Sequence, residues 1–349
     1  MAFHTDEKLF IAKMLAELGV PEIECGIPAM GPEEQRVVKS LIKLDVPARL
    51  ITWNRAVRSD VEASLSCGIS AVAISCPVSD FQIAHKLGKS REWVLEQLRG
   101  TVDFAKKKNL YVCVGAEDAS RADEGFLAEY GALAQSCGAD RLRFSDTLGL
   151  LDPFQVYDKI SRLAACVDLP LEIHTHNDFG MATANALAGV RAGATYVSVT
   201  VLGLGERAGN APLEEVSMAL THVYGAATGI RVSLLPALCG YVSRAADRPI
   251  SPAKPIVGSK IFSHESEIHA AAVIQNPANY ESYAPEQLGL KREISVGKYT
   301  GRRALSYRLR HLGIVKGDED LSRLIPQVRS LSSRIKRTLS DTELLELCR

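Results

Sequence analysis

REWVLEQLRGTVDFAKKKNLYVCVGAEDASRADEGFLAEYGALAQSCGADRLRFSD, residues 91–146, reads as helix, strand, helix, strand. REWVLEQLRGTVDFAKKKN (91–109) and FLAEYGALAQSCG (126–138) carry amphipathic helical patterns. LYVCVG (110–115) and DRLRFSD (140–146) have the length and residue types of strands. The alternation extends from residue 21 to about 225. PEIECGI (21–27), ARLITW (48–53), SAVAISC (70–76), LPLEIHTH (169–176) and ATYVSVTVLG (194–203) bring the strand-like runs to seven. Strand–helix units of roughly 25–35 residues predict a parallel sheet with helical crossovers. A closed (β/α)8 barrel needs eight strands. This chain opens on a helix instead, with a start at Thr5-Asp6-Glu7 and LFIAKMLAELG running to a glycine stop. One α/β fold that this count allows is a TIM (β/α)8-type barrel with its first strand missing. An open seven-stranded sheet is the alternative. The barrel is expected over residues 1–247. The proline-rich RPISPAKPIVG (248–258) opens a linker, and 248–349 is expected to form mostly helical C-terminal subdomains.

Composition narrows the function classes. The 349 residues are 46% hydrophobic and 23% charged, with 41 basic and 41 acidic side chains. That balance argues against nucleic acid or an anionic membrane as partner. No apolar run approaches the roughly 18 residues that span a bilayer. MAFHTDEKLF carries acid early and has no apolar core, so no signal peptide is expected. The eight cysteines are scattered without a CxxC, as expected of reduced thiols in a cytoplasmic protein.

His174-Thr175-His176-Asn177-Asp178 closes the run at 169–176. Residues i and i+2 of a strand share a face. Two imidazoles at the C-terminal end of a barrel strand make half a metal site, at the end where barrel enzymes do their chemistry. The plainer reading is a pair of structural histidines, and Asn177, Asp178 and Gly180 beside them weigh against it. Gly203-Leu-Gly205-Glu206-Arg207-Ala208-Gly209-Asn210 follows the run at 194–203. It contains GxGxxA but lacks the second strand and acid of a dinucleotide site. An active-site loop fits better, with glycines for close backbone approach and Asn210 as an oxygen ligand. The alternative is a glycine-rich connector.

Glu117-Asp118-Ala-Ser-Arg121 sets a carboxylate at a strand end, a candidate base or positioning group. Asp118 or Ser120 would equally serve as a helix cap. In Arg143-Phe-Ser145-Asp146-Thr147, alternation puts Arg143, Ser145 and Thr147 on one face. A buried guanidinium requires an anionic partner, either a protein carboxylate or a substrate carboxylate. His264, His269 and Tyr280 lie past the linker and read, on residue type alone, as structural or exposed.

EIHTHNDFG, GLGERAGNAPLEE, EDASR and SDTLG together resemble the metal-dependent, acyl-CoA-using barrel family. It holds homocitrate synthase, 2-isopropylmalate synthase, citramalate synthase and the hydroxymethylglutaryl-CoA lyases. PEIECGIPAMG (21–31), PVSDFQIAHKLGKSREWVL (77–95) and RLRFSDTLGLLDPF (141–154) are similar to segments of the nitrogen-fixation homocitrate synthases. The resemblance covers essentially the whole chain. It implies an acyltransferase that condenses acetyl-CoA with a 2-oxo acid, 2-oxoglutarate in the homocitrate case, and releases CoA. A divalent metal (Mg2+, Mn2+, Zn2+ or Fe2+) serves as Lewis acid. The resemblance assigns His174 and His176 as metal ligands with Asn210 beside them. It makes Glu117 the carboxylate that works with the base and Thr147 the holder of the oxo-acid carboxylate. Glu206 becomes a further substrate contact, and His269 with Tyr280 the catalytic pair of the C-terminal region. In the family that region reaches over a neighbour's barrel, which implies a homodimer.

Three departures accompany the resemblance. The family's first strand carries an Arg-Asp-Gly-(Glu)-Gln motif that supplies a third metal ligand, and this chain has none. Glu267 stands where the family usually has glycine before Ile-His. Cys113 stands where lysine-pathway homocitrate synthases place an arginine for the distal carboxylate of 2-oxoglutarate. Arg143 on the adjacent strand is expected to take that role, with Cys113 and Gly115 leaving it room. Against the homocitrate reading stand 2-isopropylmalate or citramalate synthase, and a non-catalytic barrel remnant.

Overall fold

The computed structural model describes residues 2–349. It divides into two units, Met1–Pro249 and Ile250–Arg349. The first begins with helix α1 (Thr5–Leu18), stopped by Gly19 in a left-handed conformation. Seven strands follow: β1 (Glu22–Glu24), β2 (Arg49–Arg55), β3 (Ala71–Pro77), β4 (Tyr111–Glu117), β5 (Arg141–Asp146), β6 (Leu171–Thr175) and β7 (Tyr196–Ser198). They pair in sequence order, every pair parallel. Helices α2 (Pro32–Ile42), α3 (Arg58–Ser66), α4 (Asp80–Gln82), α5 (Arg91–Lys107), α6 (Glu124–Ser136), α7 (Pro153–Cys166) and α8 (Ala182–Arg191) supply the crossovers. α9 (Leu213–His222) and α10 (Leu235–Ala245) complete the unit. Among the described residues β7 and β1 do not pair, so the wall is a TIM-type barrel one strand short of eight.

Strands covered on both faces read as nearly continuous apolar runs. Val72, Ile74, Val112, Val114, Leu142, Phe144 and Ile173 are fully buried and form one core with Leu98, Val102, Tyr130 and Ile160 of the helices. Of the sequence-predicted runs, 194–203 differs most. Its ladder ends at Ser198, and residues 201–203 form a 3-10 turn with Leu202 at φ 59°. Asp118 and Ser120 do not cap α6; Asp123 does, its carboxylate accepting the Phe126 N–H at 2.9 Å.

The second unit holds a parallel pair of short strands, β8 (Ser263–His264) and β9 (Glu293–Ile294). Its helices are α11 (Glu267–Gln275), α12 (Arg302–His311), α13 (Asp318–Ile335) and α14 (Asp341–Leu347). Val296, Leu305, Leu309, Leu321, Leu324, Val328 and Leu344 close its core.

Candidate active site

The C-terminal ends of β4 to β7 carry most of the candidate residues. On β6, His174 and His176 face one another, with Nε2 to Nε2 at 3.2 Å. Register sets His174 opposite Ser198 of β7, and the Ser198 hydroxyl meets His174 Nδ1 at 3.0 Å. With Nδ1 engaged, Nε2 remains for a ligand. Burial, then Arg143 and His176, push the His174 pKa down to about 3. Burial and Arg207 lower His176 as well, against the opposing pull of Asp178, Asp146 and Glu206. A neutral imidazole is the form that binds metal.

The glycine-rich loop folds back on this pair. Asn210 bridges His176 in antiparallel fashion, and Asn177 N–H donates to Gly209 carbonyl at 2.9 Å. Gly209 has φ 87°, and a Cβ there would fall 1.9 Å from Gly203 carbonyl oxygen, so only glycine permits the turn. Asn210 Nδ2 donates to Leu204 carbonyl at 3.2 Å, while its buried Oδ1 has no partner. Two neutral nitrogens 3.2 Å apart and an unsatisfied amide oxygen fit part of a divalent metal's shell. Among the described residues no cluster of three or more His, Cys, Asp or Glu side chains forms. The groups gathered here are two imidazole nitrogens and one amide oxygen.

Glu117 ends β4 and pairs with Lys86 at 2.5 Å. Thr147, just past β5, accepts the Asp118 N–H on Oγ1 at 2.8 Å, and its carbonyl accepts Arg207 Nη2 at 2.7 Å. Glu206, beside Arg207, is exposed.

Arg143 finds protein carboxylates. Its Nε lies 2.7 Å from Glu172 and its Nη1 3.0 Å from Glu24. Glu172 also pairs with Arg141 at 2.8 Å, and Arg141 in turn reaches Glu22 and, at 3.3 Å, the Cys113 thiol. Burial disfavours the Arg143 charge, and Glu172 with Glu24 more than offset it. Gly115 pairs in register with Arg143, and a Cβ on it would meet Ser75 Oγ at 3.2 Å. Cys113 lies against Arg141 and Glu172.

In the second unit, the His269 and Tyr280 rings stack with centroids 4.1 Å apart, both exposed. His269 sits on α11 and Tyr280 follows a 3-10 turn at Pro277–Asn279. Glu267 has a structural use. Its carboxylate accepts the Arg303 N–H at 3.0 Å and the Ala304 N–H at 3.4 Å, satisfying the free amides at the start of α12.

The sequence reading passed over Ser198, Lys86, Arg207 and Glu172. Glu172 had a legible signal, since a charged residue two before His174 shares its face. The partners of Arg207 lie 29 and 60 residues away, so spacing held none.

Among the described residues no helix is long and apolar enough to cross a membrane. A family model described as HMGL-like matches residues 1–242, and one described as homocitrate synthase post-HMGL domain-like matches residues 256–336. A protein named 2-isopropylmalate synthase 2, from Caldanaerobacter subterraneus subsp. tengcongensis, is 50% identical over 99% of this chain and 90% of its own length. Homocitrate synthase 1 of Nostoc sp. is 48% identical over 99% of this chain and 92% of its own length. The crystal structure of the HMG-CoA lyase of Bacillus subtilis shares the fold at TM-score 0.64 and 20% identity, covering 72% of this chain and 89% of that one. The chain belongs to the HMGL-like family, in the group of enzymes that carry the homocitrate synthase post-HMGL domain.

Proposed function

We propose that the chain is a homocitrate synthase, joining acetyl-CoA to 2-oxoglutarate and releasing CoA. Arg143 carries the choice of substrate. It pairs in register with Glu172, two residues before His174 on the adjacent strand, which sets it one step below the imidazole pair. A second substrate carboxylate reaching past the histidines meets this guanidinium. Glu24, 41% exposed on strand β1, is the partner such a carboxylate displaces. An aliphatic oxo acid offers the charge nothing in exchange.

In this reading His174, His176 and Asn210 hold a divalent cation that, when bound, polarises the oxo acid. Thr147 donates its hydroxyl to the carboxylate beside the reacting carbonyl, and Glu206 makes a further substrate contact. Glu117, oriented by Lys86, works with His269 and Tyr280 in taking and moving the acetyl methyl proton. His269 and Tyr280 act on the barrel of a partner protomer, so the working form is a homodimer. A cytoplasmic role supplying homocitrate for nitrogen fixation accords with the segments quoted above.

One observation favours a second reading. Arg141 and Arg143 face Glu22, Glu24 and Glu172, one more negative charge than positive. A cluster so neutralised suits an uncharged oxo-acid tail, as in 2-isopropylmalate or citramalate synthase. Arg143→Ala separates the two. Thiol release with 2-oxoglutarate should fall roughly ten-fold or more, while use of a shorter oxo acid is spared. Equal losses refute the assignment of Arg143.

A further inference from the structure

Thr147 is held from two sides by loops that belong to different strands. On one side its Oγ1 accepts the Asp118 N–H at 2.8 Å. Asp118 is fully buried at φ 59°, a left-handed conformation that non-glycine residues adopt only when their surroundings hold them there. Its carboxylate is gripped by Arg121, through Nε at 3.0 Å and Nη2 at 2.7 Å, and by the Ser79 hydroxyl. On the other side the Thr147 carbonyl accepts Arg207 Nη2 at 2.7 Å. Arg207, also left-handed at φ 54°, is fixed by a two-pronged pair with Asp178 at 2.8 and 2.9 Å. The β4 and β7 loops thus meet on Thr147 of the β5 loop, with Asp178 of the β6 loop holding Arg207 in place.

The bonds decide what the Thr147 hydroxyl does. One lone pair of Oγ1 already takes the Asp118 amide, so the hydroxyl proton remains to donate. A threonine whose backbone and acceptor are both pinned presents that donor without an ordering cost on binding.

We propose that Asp118 and Arg207 are positioning residues that act through Thr147, setting its hydroxyl as donor to the 2-oxo acid carboxylate. This rests on the reading of Thr147 as the holder of that carboxylate. The test uses the full chain in a thiol-release assay, with Arg207→Gln, Asp118→Gly, Thr147→Val and the Arg207→Gln/Thr147→Val double variant. Asp118→Gly keeps the amide and the positive φ but removes the latching carboxylate. The KM for the 2-oxo acid should rise roughly 3- to 10-fold in either positioning variant. The KM for acetyl-CoA should not change, and Arg207→Gln, altering a partly exposed side chain, should leave the thermal midpoint in place. In the Thr147→Val background Arg207→Gln should add less than about two-fold, because its route is gone. A rise in both KM values, or the same cost with and without the Thr147 hydroxyl, overturns the positioning role. If Thr147→Val alone leaves the oxo-acid KM unchanged, Thr147 is not the carboxylate holder and the inference falls with that reading. A wild-type chain that releases no thiol overturns the functional reading first.

Discussion

Ser198 Oγ stands 3.0 Å from His174 Nδ1, and the opposite nitrogen of that ring stands 3.2 Å from His176 Nε2. The hydroxyl orients an imidazole whose other edge faces its neighbour. Partners of this kind typically account for 10- to 100-fold in metal affinity. Ser198→Ala should therefore weaken Mn2+ or Zn2+ binding at least about ten-fold by isothermal titration. Unchanged affinity would show that the ring is held by packing alone.

Metal addition should also stabilise the fold. A cation at 100 times its Kd adds about 2.7 kcal/mol to unfolding stability. That gain should appear as a raised thermal midpoint for wild type and vanish in His174→Ala. A midpoint that rises equally in both places the cation elsewhere.

Glu172 is buried and shared by two guanidiniums, at 2.8 Å from Arg141 and 2.7 Å from Arg143. Removing one member of a buried ionic set leaves charge uncompensated, at a cost of about 3 kcal/mol or more. Glu172→Gln should lower the urea midpoint accordingly. Glu24→Gln, at a site 41% exposed, should cost less than about 1 kcal/mol. Equal costs would mean that Glu172 is not the hub.

Gly301 and Glu267 are fitted to each other in the second unit. A Cβ on residue 301 would lie 2.3 Å from Glu267 Cδ. Gly301→Ala should therefore destabilise by about 1 kcal/mol or more. Glu267→Ala, which frees the Arg303 and Ala304 amides, should cost about 1 kcal/mol. The double variant should cost less than the two singles together, measured by denaturant unfolding. Strict additivity would show that the two positions do not sense one another.

The strand pattern was legible because parallel strands buried on both faces leave a strong mark: the runs SAVAISC (70–76) and LYVCVG (110–115) fall within two residues of the bounds of β3 and β4. The end of β7 was not, because Leu202 takes a positive φ that its residue type does not announce. The His174–His176 pair followed from alternation along one strand. The partner of Arg143 did not, since choosing between a protein and a substrate carboxylate needs Glu172 and Glu24, placed by pairing across separate strands. The clamp on Thr147 was hidden for the same reason, its arms arriving from Asp118 and Arg207.

The most direct measurement is the rate of CoA thiol release by the wild-type chain given acetyl-CoA and a divalent metal, compared across 2-oxoglutarate, 2-oxoisovalerate and pyruvate. A guanidinium beneath the histidine pair predicts the highest kcat/KM for 2-oxoglutarate, by roughly ten-fold or more. A preference for 2-oxoisovalerate or pyruvate, or no release with any of the three, would contradict it.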